Sequence, residues 1–250
     1  MIVPISSLLR DPIAHQSHSR LNRALIRLTL LSFGHRVINL EGSEWISGAR
    51  DPFVLALNHS QRLEAILLPI LFAWHRQGKL IHFLADWNYL MMPGVSLILR
   101  RGGVIPVTRK QARPRFLTGL RKFLVREPHG FEQARLFLRD GRSVGVFPEG
   151  TTNRHPTRML VGQRGAARLS LETGAPVIPV GVRFPENSDG RPIAPFARME
   201  VRIGPPMPSP KSPDPTSSSA VRAWHEQVMR EISILANKGW SPTHSRRKLC

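Results

Sequence analysis

Short apolar runs rich in Val, Ile and Leu alternate along this chain with longer segments of helical periodicity, and this alternation limits the possible folds most. The apolar runs have the length and composition of buried strands, and the segments between them are long enough for helices. Strands that alternate with helices are typical of a sheet with helices on its faces. The sequence therefore predicts an α/β fold around a mixed, mostly parallel sheet. The predicted strands are 36–40, 53–57, 80–84, 103–107, 143–147, 177–182 and 199–203.

Helical segments separate these strands, and several of them carry end signals. Pro93 interrupts one segment, and Gly174 follows another at the position where a helix stops. We expect the last helix to be capped by Ser219 and to end at Gly239. The predicted helices are 21–33, 63–74, 87–99, 131–139, 163–173 and the segment between Ser219 and Gly239.

Composition along the chain predicts four parts. Residues 1–34 form an N-terminal segment with an amphipathic, membrane-associating helix, and residues 35–204 form the domain that holds the sheet. Residues 205–219 are rich in Pro and Ser, which is typical of a linker. Residues 220–250 are expected to form a C-terminal helix and a basic tail. A chain of 250 residues is long enough for one such domain with a sizeable core.

The charge of the chain is strongly positive. Its 36 basic and 17 acidic residues give +19, and 30 of the basic residues are Arg, which binds phosphate in a bidentate manner. This balance favours a phosphate-bearing substrate, an anionic membrane or another polyanion. The only cysteine, Cys250, excludes an intrachain disulfide. Because a long apolar run and a signal-peptide pattern are both missing, we expect a peripheral or monotopic protein on the cytoplasmic face of a membrane.

Two basic amphipathic segments are candidates for that membrane contact. Segment 21–33 has a wide apolar face with Arg side chains beside it, and segment 110–128 has a stripe of Phe and Leu flanked by Arg and Lys. Both patterns are typical of helices that lie at an anionic membrane surface. The same patterns also fit helices that pack on the domain, and the sequence leaves both interpretations open.

A polar motif follows the second predicted strand. Asn58 and His59 come directly after residues 53–57, and Glu64 lies five positions beyond His59. Five positions are about 140° apart on a regular helix, so these side chains can meet only across a turn. There the Glu64 carboxylate would accept the Nδ1 proton of His59 and orient the imidazole as a general base. Taken alone, the spacing also fits a surface histidine near a helix N-terminus.

Two further motifs contain groups that suit an anionic substrate. Gly103 allows a close backbone approach, and the extended segment after it leads to Arg109, a candidate phosphate ligand. After the fifth predicted strand come Glu149, Gly150 and Thr151. A carboxylate at this turn can hold a substrate hydroxyl, and the glycine lets backbone N–H groups face an anion.

In this order, the motifs resemble those of the lysophosphatidic acid acyltransferase (1-acylglycerol-3-phosphate O-acyltransferase) family over about residues 53–182. The matching segments are Asn58-His59 with Glu64, 103–109, 147–151, the helix start Arg164-Gly165-Ala166-Ala167 and 177–182. The resemblance implies that His59 is the general base, Arg109 binds the acceptor phosphate, Glu149 and Gly150 bind the acceptor, and Pro179 shapes the acyl-donor site. Asn58, Gly103 and Thr151 stand in the same motifs and are counted with the substrate-binding residues.

The sequence departs from the family pattern at two positions. Glu64 stands where the family usually has Asp, and Thr152 stands where it usually has Arg. Glu is one methylene longer, so it plays the same part only if the loop shifts. Arg154, two positions further, is a candidate replacement for the missing Arg. Without such a replacement, recognition of the acceptor phosphate would weaken and another head group would become plausible.

The predicted function is O-acyl transfer from acyl-CoA or an acyl carrier protein to the free hydroxyl of a lysolipid. The resemblance makes 1-acylglycerol-3-phosphate the acceptor and phosphatidic acid the product, with no metal or other cofactor, and with an anionic membrane lipid as partner. One alternative is another acceptor, either a lyso-aminolipid or a lysophospholipid. A second is a non-catalytic basic protein that binds lipid or nucleic acid. The low aromatic content, 7%, argues against nucleic acid.

Overall fold

The computed structural model describes Ser6 and residues 20–92, 94–107, 130–187, 190–211 and 214–243. Within these ranges, one sheet contains all seven strands that the sequence predicts. The strands are β1 Val37–Glu41, β2 Val54–Leu57, β3 His82–Asp86, β4 Ile105–Val107, β5 Val144–Val146, β6 Val177–Arg183 and β7 Met199–Ile203. The helices are α1 Arg20–Phe33, α2 Glu64–His75, α3 Val95–Arg101, α4 Phe131–Arg139, α5 Gly165–Thr173 and α6 Ser218–Ala236.

The strand order is β1-β7-β6-β2-β5-β3-β4, and it confirms the mixed, mostly parallel sheet. Strands β6, β2, β5, β3 and β4 are mutually parallel along the sheet, whereas β7 runs antiparallel to β6 and parallel to β1. Strand β2 therefore lies between β6 and β5 with the same direction. Because the carboxyl ends of parallel strands share one edge, the polar segments after β2 and β5 meet there.

Both faces of the sheet are covered, which explains why its central strands are almost continuously apolar. Along β2, Leu55 and Leu57 belong to the apolar cluster under α1 and α2. Val54 and Ala56 point the other way, into the cluster formed with α4, α5 and α6. The result is a layer of helices on each side of the sheet.

Helix α1 lies where the sequence predicts an amphipathic helix. Ile26 and Leu30 are buried and join the core beside α2. On its other side, Leu28 is 62% exposed and Leu21 is 44% exposed. The helix therefore packs on the domain and also leaves apolar side chains on the surface. The second predicted amphipathic segment, 110–128, lies outside the described residues.

The C-terminal part is bound to the domain more closely than the predicted linker suggests. Met207 exchanges two backbone hydrogen bonds with Val177, of 2.7 and 2.9 Å. Helix α6 packs on β6, where a Cβ on Gly181 would lie 2.2 Å from the backbone nitrogen of Ala236. Only glycine permits this close approach. Met207 and helix α6 therefore belong to the same domain as the sheet.

Three details of the predicted helices are corrected by the structure. The side chain of Ser217, not Ser219, caps α6 by accepting a hydrogen bond of 3.2 Å from the amide of Ala220. Asn237, in the left-handed conformation with φ 51°, ends the helix before Gly239. The predicted helix 87–99 is interrupted between Met91 and Val95, as expected, but its first part is a 3₁₀ turn, Trp87–Met91, and its second part is α3. In each case a side chain or a backbone dihedral sets the helix boundary, and the apolar periodicity of the sequence does not record either of them.

A buried ionic cluster ties together the amino ends of β2 and β5. The fully buried guanidinium of Arg76 donates to both carboxylate oxygens of Asp51, at 2.9 and 2.8 Å. The hydroxyl of Ser143, just before β5, donates to Asp51 and accepts from the amide of Phe53, just before β2, at 3.1 Å. This cluster fixes the alignment of the two strands whose opposite ends carry the polar motifs.

Candidate active site

Asn58 sets the position of the histidine that follows it. Its side-chain amide donates to the carbonyl of Val182 at 3.0 Å and accepts from the amide of Val182 at 2.7 Å. This pair of bonds locks the end of β2 onto β6. Asn58 is fully buried, so the structure gives it a positioning part. Contact with substrate stays a prediction for this residue.

His59 and Glu64 meet across the turn between β2 and α2, as the sequence predicts. The distance from His59 Nδ1 to Glu64 Oε1 is 2.7 Å, and the Glu64 side chain is fully buried. The amide of Ser60 donates to the same carboxylate oxygen. With an ionised Glu64, which can only accept, Nδ1 carries the imidazole proton and the lone pair of Nε2 points away from the carboxylate. This is the tautomer that a general base needs.

The rest of the histidine environment comes from the segment after β5. The ring of Phe147 packs against the imidazole with centroids 4.5 Å apart, and the His59 side chain is 13% exposed. The hydroxyl of Thr152 lies 3.2 Å from His59 Nε2. A protein hydroxyl therefore occupies a place where a substrate hydroxyl would have to bind to give up its proton.

Glu149 makes different contacts from those that the sequence predicts. Its Oε1 accepts from the amide of His59 at 3.1 Å, and its Oε2 accepts from the amide of Leu160 at 2.9 Å and from Asn153 Nδ2 at 2.8 Å. Burial raises the pKa of Glu149, and the backbone N–H groups of Leu160 and His59 oppose this rise. Glu149 thus holds the two loops of the site together, and its contact with a substrate hydroxyl stays a prediction.

The residues after Glu149 lie at the surface of the site. Gly150 has φ 64°, is exposed, and donates its amide to the carbonyl of Phe147 at 3.0 Å. Thr151, partly buried, follows it. Arg154 is exposed, and its Nε donates to the carbonyl of Ile193 at 2.6 Å. The structure therefore places all three on the same loop as Thr152.

Two predicted residues are not brought to His59 by the described structure. Gly103 precedes β4 at the amino edge of the strands, and its carbonyl accepts from His82 Nδ1 at 2.8 Å. Pro179 is buried within β6, opposite Ala56 of β2. Arg109 lies outside the described residues. Substrate binding stays a prediction for all three.

Lys238 is a site residue that the sequence analysis missed. Its ammonium donates to Ser60 Oγ at 2.8 Å and to the carbonyl of His155 at 2.9 Å, and only 6% of the residue is exposed. It lies 178 positions after Ser60, in the part predicted as a separate C-terminal unit. The only hint in the sequence is Trp240, an aromatic residue that suggests an ordered segment beyond α6.

The arrangement suits proton transfer from a hydroxyl. It contains an imidazole with one nitrogen held by a buried carboxylate and the other facing a hydroxyl. In the parts of the chain that the structure describes, no group of three or more His, Cys, Asp and Glu side chains is placed to hold a metal ion.

Comparisons with known proteins agree with this chemistry. The model of the family described as Acyltransferase matches residues 37–183. A protein of Borreliella burgdorferi named 1-acyl-sn-glycerol-3-phosphate acyltransferase is 30% identical over 159 residues, which are 63% of this chain and 55% of the relative. A Bacillus subtilis protein of the same name is 25% identical over 86% of this chain and 94% of its own length. The chain thus spans about half the length of the first relative and nearly all of the second.

A solved structure has the same fold. The crystal structure of the 1-acyl-sn-glycerophosphate (LPA) acyltransferase PlsC from Thermotoga maritima superposes with a TM-score of 0.57 and covers 94% of this chain and 89% of that protein. The two sequences are 19% identical, so this likeness concerns the fold alone.

Proposed function

Because the chain belongs to the acyltransferase family, we propose that it moves a fatty acyl group from a thioester to the free hydroxyl of a lysolipid, and that this lysolipid is 1-acylglycerol-3-phosphate. The observation that carries the proposal is the His59–Glu64 pair, with Nε2 directed at a hydroxyl. The names of the bacterial relatives support the choice of acceptor. The charge of +19 supports an anionic head group.

The proposed reaction needs one base and no covalent enzyme intermediate. The acceptor hydroxyl takes the place of the Thr152 hydroxyl at His59 Nε2 and gives its proton to that nitrogen. Its oxygen attacks the thioester carbonyl, and the tetrahedral intermediate collapses with cleavage of the carbon–sulfur bond. The imidazolium then returns the proton to the departing thiolate. Glu64 stabilises the imidazolium between the two transfers, and such a base contributes roughly 10²–10⁴ in rate.

The proposed place of the reaction is the cytoplasmic face of an anionic membrane. Among the helices in the described residues, none combines the length and the apolar character that a bilayer crossing requires. The exposed leucines of α1 support an interfacial contact, since Leu28 is 62% exposed, Leu21 44% and Leu31 39%. Basic residues add an attraction to anionic lipid of about 1 kcal/mol each near the surface, and salt weakens it.

A thiol-release assay tests the proposed function and its alternatives together. The purified chain is given acyl-CoA or an acylated carrier protein, with each lysolipid in turn presented in anionic vesicles that also report binding by sedimentation. We expect thiol release and phosphatidic acid only with 1-acylglycerol-3-phosphate. Release with a lyso-aminolipid or another lysophospholipid instead would replace the acceptor. A folded protein that binds vesicles but releases no thiol with any pair would be a lipid-binding module.

Replacing Thr152 distinguishes direct transfer from transfer through a threonyl ester. The direct route predicts that the kcat of Thr152→Val falls by no more than about tenfold, because one neutral hydrogen bond contributes about 0.5–1.5 kcal/mol. Intact-mass spectra of the wild type with acyl donor alone should show no acyl adduct. An acyl adduct on Thr152 of the wild type that is also found in Thr152→Ser but is missing in Thr152→Val would contradict direct transfer. It would show that the hydroxyl at this position is a nucleophile.

A further inference from the structure

The end of α6 brings a buried cation into the site. Asn237 adopts the left-handed conformation, and the amides of Asn237 and Lys238 bond back to the carbonyls of Ile234 and Ser233 at 3.1 and 3.0 Å. This is the Schellman pattern of helix termination, which turns the chain sharply. The turn sends the Lys238 side chain toward the segment after β2, where its ammonium bonds Ser60 Oγ at 2.8 Å.

The segment around Lys238 is bound on both sides by the loop that holds Glu149. The amide of Gly239 donates to the carbonyl of Thr157 at 2.8 Å, and the carbonyl of Gly239 accepts from the amide of Met159 at 2.9 Å. The indole of Trp240 donates to the carbonyl of Leu160 at 3.1 Å, and the amide of Leu160 in turn donates to Glu149. Lys238 therefore has a fixed position relative to the carboxylates of the site.

Two buried carboxylates interact with the charge of Lys238. Glu64 is fully buried, and its Oε2 has no hydrogen-bond partner among the described residues. Glu149 is only 5% exposed. Buried carboxylates are costly unless a cation or hydrogen bonds compensate them. Burial lowers the pKa of Lys238, and the charges of Glu149 and then Glu64 oppose this fall.

We propose that Lys238 is a positioning residue of the acyl-transfer site, which supplies the counter-charge to Glu64 and Glu149 and holds the His59 turn through Ser60. This inference rests on the proposed function and extends the site beyond residues 37–183, the range that matches the family. The buried positive charge of this site comes from the C-terminal segment.

The charged and titratable groups that face Lys238 come from several elements. Glu149 follows β5, Glu64 begins α2, and the carbonyl of His155 accepts from the ammonium at 2.9 Å. The pKa of His155 is lowered by its own burial, then by Arg158 and by Lys238. The ring of Phe184 lies 5.9 Å from the ammonium. Lys238 attracts the ionised form of Glu149. Removing the charge of Lys238 therefore raises the pKa of Glu149 further.

The test replaces Lys238 by Met, which keeps the length and removes the charge, and by Arg, which keeps the charge. For Lys238→Met we expect kcat to fall about tenfold or more with little change in the KM for 1-acylglycerol-3-phosphate. The acid limb of the kcat profile should move to higher pH, since loss of the Lys238 charge raises the pKa of Glu149. Lys238→Arg should restore part of both. Lys211→Met is the control, because Lys211 is an exposed lysine outside the site.

A second measurement needs no activity. The carboxyl ¹³C resonance of Glu149, identified by its loss in Glu149→Gln, should titrate at higher pH in Lys238→Met than in the wild type. If Lys238→Met does not fold, Ser60→Ala provides a second test. It removes the hydroxyl that accepts the hydrogen bond from Lys238, and kcat should fall as expected for Lys238→Met. An unchanged Glu149 titration and an unchanged pH profile would overturn the proposal and leave Lys238 as an anchor of the helix end. A wild type without transferase activity would instead overturn the proposed function, while the ¹³C titration would still test the charge link.

Discussion

Replacing His59 by Ala should lower the rate of acyl transfer by about 10²–10⁴, the contribution of a positioned base. The variant keeps the pocket but has no imidazole at the place where Nε2 lies 3.2 Å from a hydroxyl. Because the effect falls on proton transfer, kcat should decrease much more than the KM of either substrate increases. Steady-state thiol release at saturating acceptor measures it, with the rate expressed per folded molecule.

The matched variants separate loss of the base from loss of structure. His35→Ala removes an exposed histidine outside the site and should leave the rate unchanged. Glu64→Gln should give an intermediate loss, because the amide oxygen can still accept from Nδ1 but no longer stabilises the imidazolium by charge. A His59→Ala protein that turns over at nearly the wild-type rate with the same pH dependence would remove His59 from the mechanism.

Replacing Arg76 by Met should be the most destabilising single change among those considered. The guanidinium is fully buried, pairs with Asp51 through two oxygens, and also donates to the carbonyl of Lys79 at 2.9 Å. Removing one partner of a buried ion pair costs about 3–5 kcal/mol, and Lys79, whose side chain is 39% exposed, compensates Asp51 only in part. For a chain of this size, the Tm should fall by roughly 6–20 °C. Denaturant and thermal unfolding measure both quantities.

An exposed ion pair at the same edge of the sheet supplies the control. Arg142 pairs with Asp140 at 2.6 Å, with side chains that are 44% and 60% exposed. Because water already screens this pair, Arg142→Met should cost at most about 1 kcal/mol. Equal losses for Arg76→Met and Arg142→Met would contradict the view that the Asp51 cluster aligns the amino ends of β2 and β5.

The local part of this structure followed from the sequence. Each strand of the sheet was visible as an apolar run between polar segments, because a strand buried on both faces needs apolar residues at nearly every position. The meeting of His59 with Glu64 was also predictable, since only one short turn separates them. Helix boundaries were less predictable, because Ser217 and Asn237 set the ends of α6 through one hydrogen bond and one backbone dihedral.

The long-range part was decided only by the tertiary structure. The sequence does not state that β2 lies between β5 and β6, yet this order brings Thr152 to His59 and Val182 to Asn58. It also does not state that Lys238 returns to Ser60 across 178 positions. Periodicity records which face of an element is apolar, but strand order and the return of a chain end depend on how all elements pack together. The sequence by itself determined the elements and the meeting of His59 with Glu64, and packing determined which distant groups surround this pair.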